Sequence, residues 1–162
     1  MTVADRRPVG DGPHAEVAAR LARVDQRYTP ARRALVAALA NAGRPLSIPE
    51  LLAATPAIPQ SSAYRSVTAL IDAKAVRRVA GSDDHGRFEL AEDLAGHHHH
   101  LICGGCGQVL DVAASPRLER ALAEAARVAE EETGFSVDDH RMDLVGTCRD
   151  CRDGKSPPDG GP

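Results

Sequence analysis

The sequence contains very few aromatic side chains: two Tyr, two Phe and no Trp, or 2% of 162 residues. A hydrophobic core must therefore be aliphatic, and a hydrophobic content of 43% suffices for one ordinary domain or two small ones. No apolar run is long enough for a transmembrane helix, and no segment resembles a signal peptide. We therefore expect no membrane partner and a cytoplasmic location.

Two common catalytic motifs are also missing from the sequence. It contains neither the H-E-x-x-H motif of metalloproteases nor the G-x-S-x-G motif of serine hydrolases. A small metallohydrolase therefore has little support, and we expect a protein that is not an enzyme.

Charge is distributed unevenly between the two halves of the chain. Residues 1–80 contain 12 Lys and Arg against 6 Asp and Glu, a net charge of +6. Residues 81–162 contain 8 against 17, a net charge of −9. A basic first half suits a polyanion such as DNA, although ordinary solvated arginines explain the charge equally well.

The first half has the pattern of a winged helix-turn-helix. Apolar periodicity predicts helices over 15–27, 30–42, 48–54 and 59–75. Thr29 and Ser47 are predicted N-caps of the second and third helices. Strands are expected over 76–80 and 87–90, joined by a turn. Short helices, a longer helix with a polar face and a hairpin are typical of this DNA-binding motif.

The second half has a different pattern. Strands are expected over 101–103 and 108–112, and a loop over 91–96 precedes them. A long amphipathic helix over 116–133 is bounded by a proline and a glycine. Further strands are expected over 135–137 and 141–147.

Four cysteines form two C-x-x-C pairs, Cys103 with Cys106 and Cys148 with Cys151. Four thiolates can form a closed tetrahedral shell, which is typical of structural zinc. The 41 residues between the pairs must fold into a unit whose ends the metal ties together. The alternatives are a thioredoxin-like dithiol or two reversible disulfides, and the presence of two pairs favours zinc.

Four consecutive histidines precede the first cysteine pair. In an extended strand, His98 and His100 would share one face, and His97 and His99 the other. The run can therefore serve two ions, with these candidate partners: Glu89 on one face, and Glu119 and His140 on the other. Nitrogen and oxygen donors suit zinc, iron(II), manganese or nickel. The alternative is a solvated histidine-rich loop that takes up metal adventitiously.

These residues together resemble the Fur (ferric uptake regulator) superfamily of bacterial metal-responsive repressors. The resemblance covers roughly residues 17–151. The matching segments are Y-T-P-A-R-R at 28–33, S-A-Y-R at 62–65, R-F-E-L at 87–90, residues 97–106, and His140 eight residues before Cys148.

The resemblance implies an α+β chain with an N-terminal winged helix-turn-helix and a C-terminal α/β dimerisation domain that holds a structural zinc site of four cysteines. The expected organisation is a flexible arm over 1–14, a DNA-binding domain over 15–91, a hinge loop over 92–96, a metal-binding dimerisation domain over 97–151 and a disordered tail over 152–162. It also implies a metal-dependent repressor that binds palindromic double-stranded operator DNA as a homodimer.

The resemblance further assigns site residues. It places structural zinc on Cys103, Cys106, Cys148 and Cys151. It places a dimerisation-domain site on His97, His99, Glu119 and His140, and an inter-domain sensor site for a second divalent metal on Glu89, His98 and His100. The implied DNA-binding residues are Ser62, Tyr64, Arg65, Thr68 and Arg32.

The chain departs from the family pattern at the inter-domain site. Residues 43–46 lack the histidine that many family sensors supply, and Arg77 stands where zinc sensors often have Asp. The candidates to complete the site are His85, His14 and water. Two alternative functions remain: a peroxide sensor of the same family, in which bound iron oxidises His98 or His100, and a small zinc-storage protein.

Overall fold

The computed structural model describes residues 12–79 and 86–155. Its first part consists of four helices and a three-stranded antiparallel sheet of order β1-β3-β2. The helices are α1 (His14–Arg23), α2 (Pro30–Ala42), α3 (Ile48–Ala54) and α4 (Gln60–Asp72), and the strands are β1 (Leu46–Ser47), β2 (Val76–Val79) and β3 (Arg87–Leu90).

Local capping determines where the central helices begin. The Thr29 hydroxyl accepts a hydrogen bond from the Arg32 N–H at 3.3 Å, and Pro30 occupies the first position of α2. Ser47 and Glu50 form a reciprocal capping box at the start of α3. Both caps agree with the sequence-based prediction.

The core of this part is aliphatic. Its fully buried side chains include Val17, Leu21, Leu35, Leu51 and Leu70. Helix α4 packs its apolar face on this core, which leaves its opposite face in solvent.

The second part begins with a short helix, α5 (Glu92–Ala95), and contains a sheet of order β5-β4-β6. Its elements are β4 (His98–Cys103), β5 (Val109–Ala113), α6 (Pro116–Thr133), β6 (Asp143–Gly146) and α7 (Arg149–Arg152). Strand β4 is central, antiparallel to β5 and parallel to β6. It carries the last three residues of the histidine run, His98 to His100, and ends at the first cysteine.

Several predicted elements differ from the structure. The first helix ends at Arg23 because the chain turns there, with Asp25 at φ 55°. The segment 92–96 is not a simple loop, since it contains α5. The strand predicted over 135–137 does not form, because the N–H of Phe135 bonds to the Thr133 hydroxyl and the N–H of Val137 bonds to the carboxylate of Glu130.

Parts of the remaining predictions lie outside the described residues. These parts are the wing turn with His85, most of the N-terminal arm, and the tail from residue 156. In the described ranges, no helix combines the length and apolar character needed to cross a bilayer.

Candidate metal centres

The four cysteines converge at one end of the second sheet. Cys103 ends β4, and Cys148 and Cys151 lie at the start and within the single turn of α7. One sulfur from each of these three residues and one from Cys106 lie within 4.8 Å of one another, and in the described part of the chain none of the four forms a disulfide bond. A closed set of four sulfurs has the composition that structural zinc requires.

Backbone N–H groups donate to sulfur atoms of this cluster and favour the thiolate form that binds a cation. The Cys148 N–H donates to the Cys103 sulfur at 3.2 Å, and this bond, with others from Cys106 and Gly105, lowers the pKa of Cys103 to about 6. Hydrogen bonds with the sulfurs of Cys148 and Cys106 raise the pKa of Cys151 to about 12. A bound dication would lower the pKa of every thiol, so all four sulfurs could bind it as thiolates. This donor set fits zinc.

A second cluster consists of three imidazoles around one carboxylate. Glu119, in the first turn of α6, places Oε1 2.7 Å from His99 Nε2 and Oε2 3.0 Å from His97 Nε2. His140 Nε2 lies 3.3 Å from Glu119 Oε2, and this buried nitrogen makes no hydrogen bond within the described residues. Four donors that converge around an otherwise unpartnered nitrogen fit a divalent ion.

A third cluster joins the two parts of the chain. Glu89 from β3 places Oε2 3.0 Å from His98 Nε2 and 3.2 Å from His100 Nε2, and all three residues are buried. Asp111 on β5 contributes a fourth donor within 4.8 Å of the others. It faces this cluster because it pairs with His100 in the β4–β5 register.

Asp111 was missed by the sequence analysis, although the signal was present. A hairpin around the C-G-G-C turn places a residue of β5 opposite His100, and Asp111 is the acidic residue of that strand. The structure does not bring His14 to the cluster, since His14 Nδ1 is hydrogen bonded to the Tyr28 hydroxyl at 2.5 Å.

The outward nitrogens of three cluster histidines have partners of their own. His98 Nδ1 donates to the Gly96 carbonyl at 2.7 Å, and His100 Nδ1 lies 3.1 Å from Asp143 Oδ1. His97 Nδ1 contacts the carboxylate of Glu92. Such partners orient an imidazole and leave its Nε2 for a metal.

Without metal, mutual hydrogen bonds and burial shift the pKa values of the inter-domain cluster. Burial would raise the pKa of Glu89, but hydrogen bonds from His100 and His98 and the charge of Arg77 together lower it well below its ordinary value. The bond to Glu89 raises the pKa of His98. For His100, burial lowers the pKa, but bonds to Glu89 and Asp143 outweigh it and raise the value overall.

Residues 23–145 match the sequence model of the Ferric uptake regulator family. The chain belongs to this family. It is therefore a metal-responsive regulator of the Fur type, as the resemblance in sequence implied.

Two curated relatives and two solved structures illustrate the similarity. The peroxide-responsive repressor PerR of Staphylococcus saprophyticus is 30% identical over 131 residues, which cover 78% of this chain and 83% of that protein. PerR of Staphylococcus aureus strain USA300 is 29% identical over 142 residues, covering 85% and 90%. The Helicobacter pylori regulator Fur, which has three functional metal binding sites, shares the fold with a TM-score of 0.73 at 22% identity, covering 91% and 97%. A zinc-bound manganese uptake regulator gives 0.62 at 29% identity, covering 83% and 98%.

In this Fur-family chain, four of the five expected DNA-binding residues lie on α4. Tyr64, Arg65 and Thr68 are exposed, and Ser62 is half-buried and accepts a hydrogen bond from Arg65 at 3.4 Å. Arg32 lies on α2, where its guanidinium donates to the Arg27 carbonyl and the Gln26 side chain.

Proposed function

We propose that this chain is a metal-dependent, DNA-binding repressor in which a divalent ion fixes the relative orientation of the two domains. The observation that carries this proposal is the third cluster, which takes Glu89 from the wing and His98, His100 and Asp111 from the second sheet. One ion bound to donors from both parts stabilises the orientation that brings them together. If that orientation fits both half-sites of an operator, metal binding and DNA binding reinforce each other.

The other clusters complete this proposal. The cysteine site, as structural zinc, would tie the ends of the second sheet together. The site of His97, His99, Glu119 and His140 would be a second divalent site in the dimerisation domain. We propose zinc for the cysteines and zinc, iron, manganese or nickel for the sensor.

The same proposal includes the domain limits expected from the sequence and a cytoplasmic location. These limits are a DNA-binding domain over 15–91 and a metal-binding dimerisation domain over 97–151.

The expected partners are a second copy of the chain and double-stranded operator DNA. Strand β6 lies at the edge of its sheet and exposes Leu144 and Val145, the latter 73% exposed. An exposed apolar edge strand suits pairing with an identical strand, and a twofold dimer implies a palindromic operator. Tyr64, Arg65 and Thr68 would approach the major groove.

The test is a titration of DNA binding with metal. Untagged protein that holds zinc would be titrated with zinc, iron(II), manganese and nickel while its binding to an operator library is followed. We expect one of these ions to raise DNA affinity in the natural protein but not in Glu89→Gln. The matched control is Glu16→Gln, which changes an exposed carboxylate on α1 and should respond normally. Equal DNA binding with and without every ion would refute the metal switch.

A second candidate, a peroxide-responsive repressor, is favoured by the names of the PerR relatives. Iron bound at the third cluster would activate hydrogen peroxide. One of its oxygen atoms would be inserted into a ring C–H bond of His98 or His100, and the other would leave as water. The absence of a histidine donor in residues 43–46 is a departure from the family pattern that weighs against it. Mass spectrometry after treatment with iron(II) and peroxide should show one added oxygen on either histidine. An unmodified pair would reject this candidate.

A further inference from the structure

One carboxylate lies between the second and third clusters. Glu92 of α5 contacts His97 Nδ1 through Oε1, and its Oε2 accepts a hydrogen bond from Arg77 Nη1 at 3.3 Å. Arg77 Nε in turn donates to Glu89 Oε1 at 2.5 Å. A continuous series of polar contacts therefore runs from His97 of the second cluster to Glu89 of the third.

The middle of this series belongs to the winged-helix part. Arg77 lies on β2, and α5 is fastened to the same part by an ion pair between Arg20 and Asp93. Leu94 and Ala95 also pack against the core of that part. Glu92 is therefore held by the DNA-binding part while it contacts an imidazole of the second sheet.

We propose that the Arg77–Glu92 ion pair couples the two metal centres, so that an ion at the His97, His99, Glu119 and His140 site increases metal affinity at the Glu89, His98, His100 and Asp111 site. Arg77 and Glu92 act as positioning residues and do not bind either ion. This inference rests on the proposed function, since it requires both clusters to take up metal.

The coupling follows from the geometry of the contacts. An ion on His97 Nε2 makes the Nδ1–H group a stronger donor, which holds the Glu92 carboxylate in place. Glu92 then fixes Arg77, and Arg77 fixes Glu89 with Oε2 turned toward His98 and His100. Ordering Glu89 in advance removes part of the entropic cost of binding the second ion.

A positive coupling between the two sites would distinguish this proposal from direct electrostatic repulsion between the two ions. Two dications repel each other, so without the ion pair the first ion would weaken binding of the second. Arg77 and Glu92 side chains are 18% and 26% exposed, so solvent only partly screens their interaction. A positive coupling that disappears when the ion pair is broken cannot come from repulsion between the ions.

The experiment is a double-mutant cycle on manganese affinity, measured by calorimetry on protein that retains zinc. Binding at the inter-domain cluster is identified as the phase of manganese binding that is lost in Glu89→Gln. The variant His140→Ala disables the second cluster. We expect His140→Ala to weaken inter-domain affinity about five-fold or more in the natural background, and less than about two-fold in Glu92→Gln. Arg77→Gln should abolish the coupling in the same way without altering any contact to His97.

The matched control is Glu124→Gln, which breaks an exposed Arg–Glu ion pair on α6 but leaves the Arg77–Glu92 pair and the contacts of α5 in place. It should retain the full effect of His140→Ala. Additive effects in the natural background, or coupling that persists in both Glu92→Gln and Arg77→Gln, would overturn the proposal. Failure of the proposed function is a separate result, in which Glu89→Gln leaves metal-dependent DNA binding unchanged. Absence of uptake of manganese, zinc, iron(II) and nickel alike at both clusters would overturn both.

Discussion

At the residue scale, the two inter-domain histidines each have acceptors on both ring nitrogens. His98 lies between Glu89 and the Gly96 carbonyl, and His100 lies between Glu89 and Asp143. An imidazole that donates from both nitrogens is an imidazolium, which agrees with the raised pKa of both residues. Metal must therefore replace the proton on each Nε2.

The first prediction is a steep pH dependence of metal affinity at this site. The raised pKa values of His98 and His100 lie above 6.5, so below them protons compete with the ion, and affinity should rise as pH increases from about 6 to about 8. Calorimetry in two buffers of different ionisation enthalpy should show protons released on metal binding, and fewer of them as pH rises. Affinity that is independent of pH would contradict the assignment of these two ligands.

The second prediction concerns the turn of the cysteine cluster. A Cβ on Gly105 would lie 3.1 Å from the Cys151 sulfur, closer than normal contact, whereas a Cβ on Gly104 would meet the Gly146 carbonyl at 3.8 Å. We expect Gly105→Ala to lose zinc to a chelator several-fold faster than the natural protein, and the control Gly104→Ala to lose it at the natural rate. Equal rates for the two variants would show that the cluster does not depend on this close approach.

At this scale, the sequence predicted the division of the histidines but not all of their partners. Strand alternation is a local property, so it correctly placed His98 and His100 opposite His97 and His99. The contact of Arg77 with Glu89 and Glu92 depends on how a hairpin and a short helix pack together. That packing was not readable from the sequence, and the arginine was noted only as a missing metal donor.

At the element scale, the helix that carries most of the proposed DNA-binding residues is α4. It buries Ala63, Ser66, Val67 and Leu70, while Tyr64, Arg65 and Thr68 point into solvent. Helical periodicity predicted this division, and capping residues predicted where α2 and α3 begin. The strand expected over 135–137 does not form, because side chains of α6 accept hydrogen bonds from its backbone N–H groups. Such contacts leave no periodic signal in the sequence.

The third prediction follows from the exposure of α4. Arg65→Ala should weaken DNA binding by about 1–3 kcal/mol with little change in stability, because the side chain is on the surface. Metal affinity should not change. The control is Arg127→Ala on α6, which removes another exposed arginine from the second part of the chain. A gel-shift titration that shows equal losses for both variants would indicate that only net charge matters.

At the scale of the whole molecule, charge and metal binding are arranged together. Residues 81–162, with a net charge of −9, carry all the residues of the three clusters, and the basic residues 1–80 carry the proposed DNA-binding face. Such a division attracts cations to one part and the phosphate backbone to the other. Glu89 is the candidate ligand that the winged-helix part contributes to the inter-domain cluster.

The last prediction tests whether two copies associate through β6. Val145 pairs in register with Ile102, yet its side chain is 73% exposed on an edge strand. In Val145→Glu, a dimer would have to bury a carboxylate without a partner, which is strongly unfavourable. We expect a monomer by analytical ultracentrifugation and a large loss of operator affinity, with zinc retained at the cysteines. Val24→Glu makes the same change at an exposed valine after α1 and should remain dimeric. A Val145→Glu protein that sediments as the natural dimer would place the interface elsewhere on the second part.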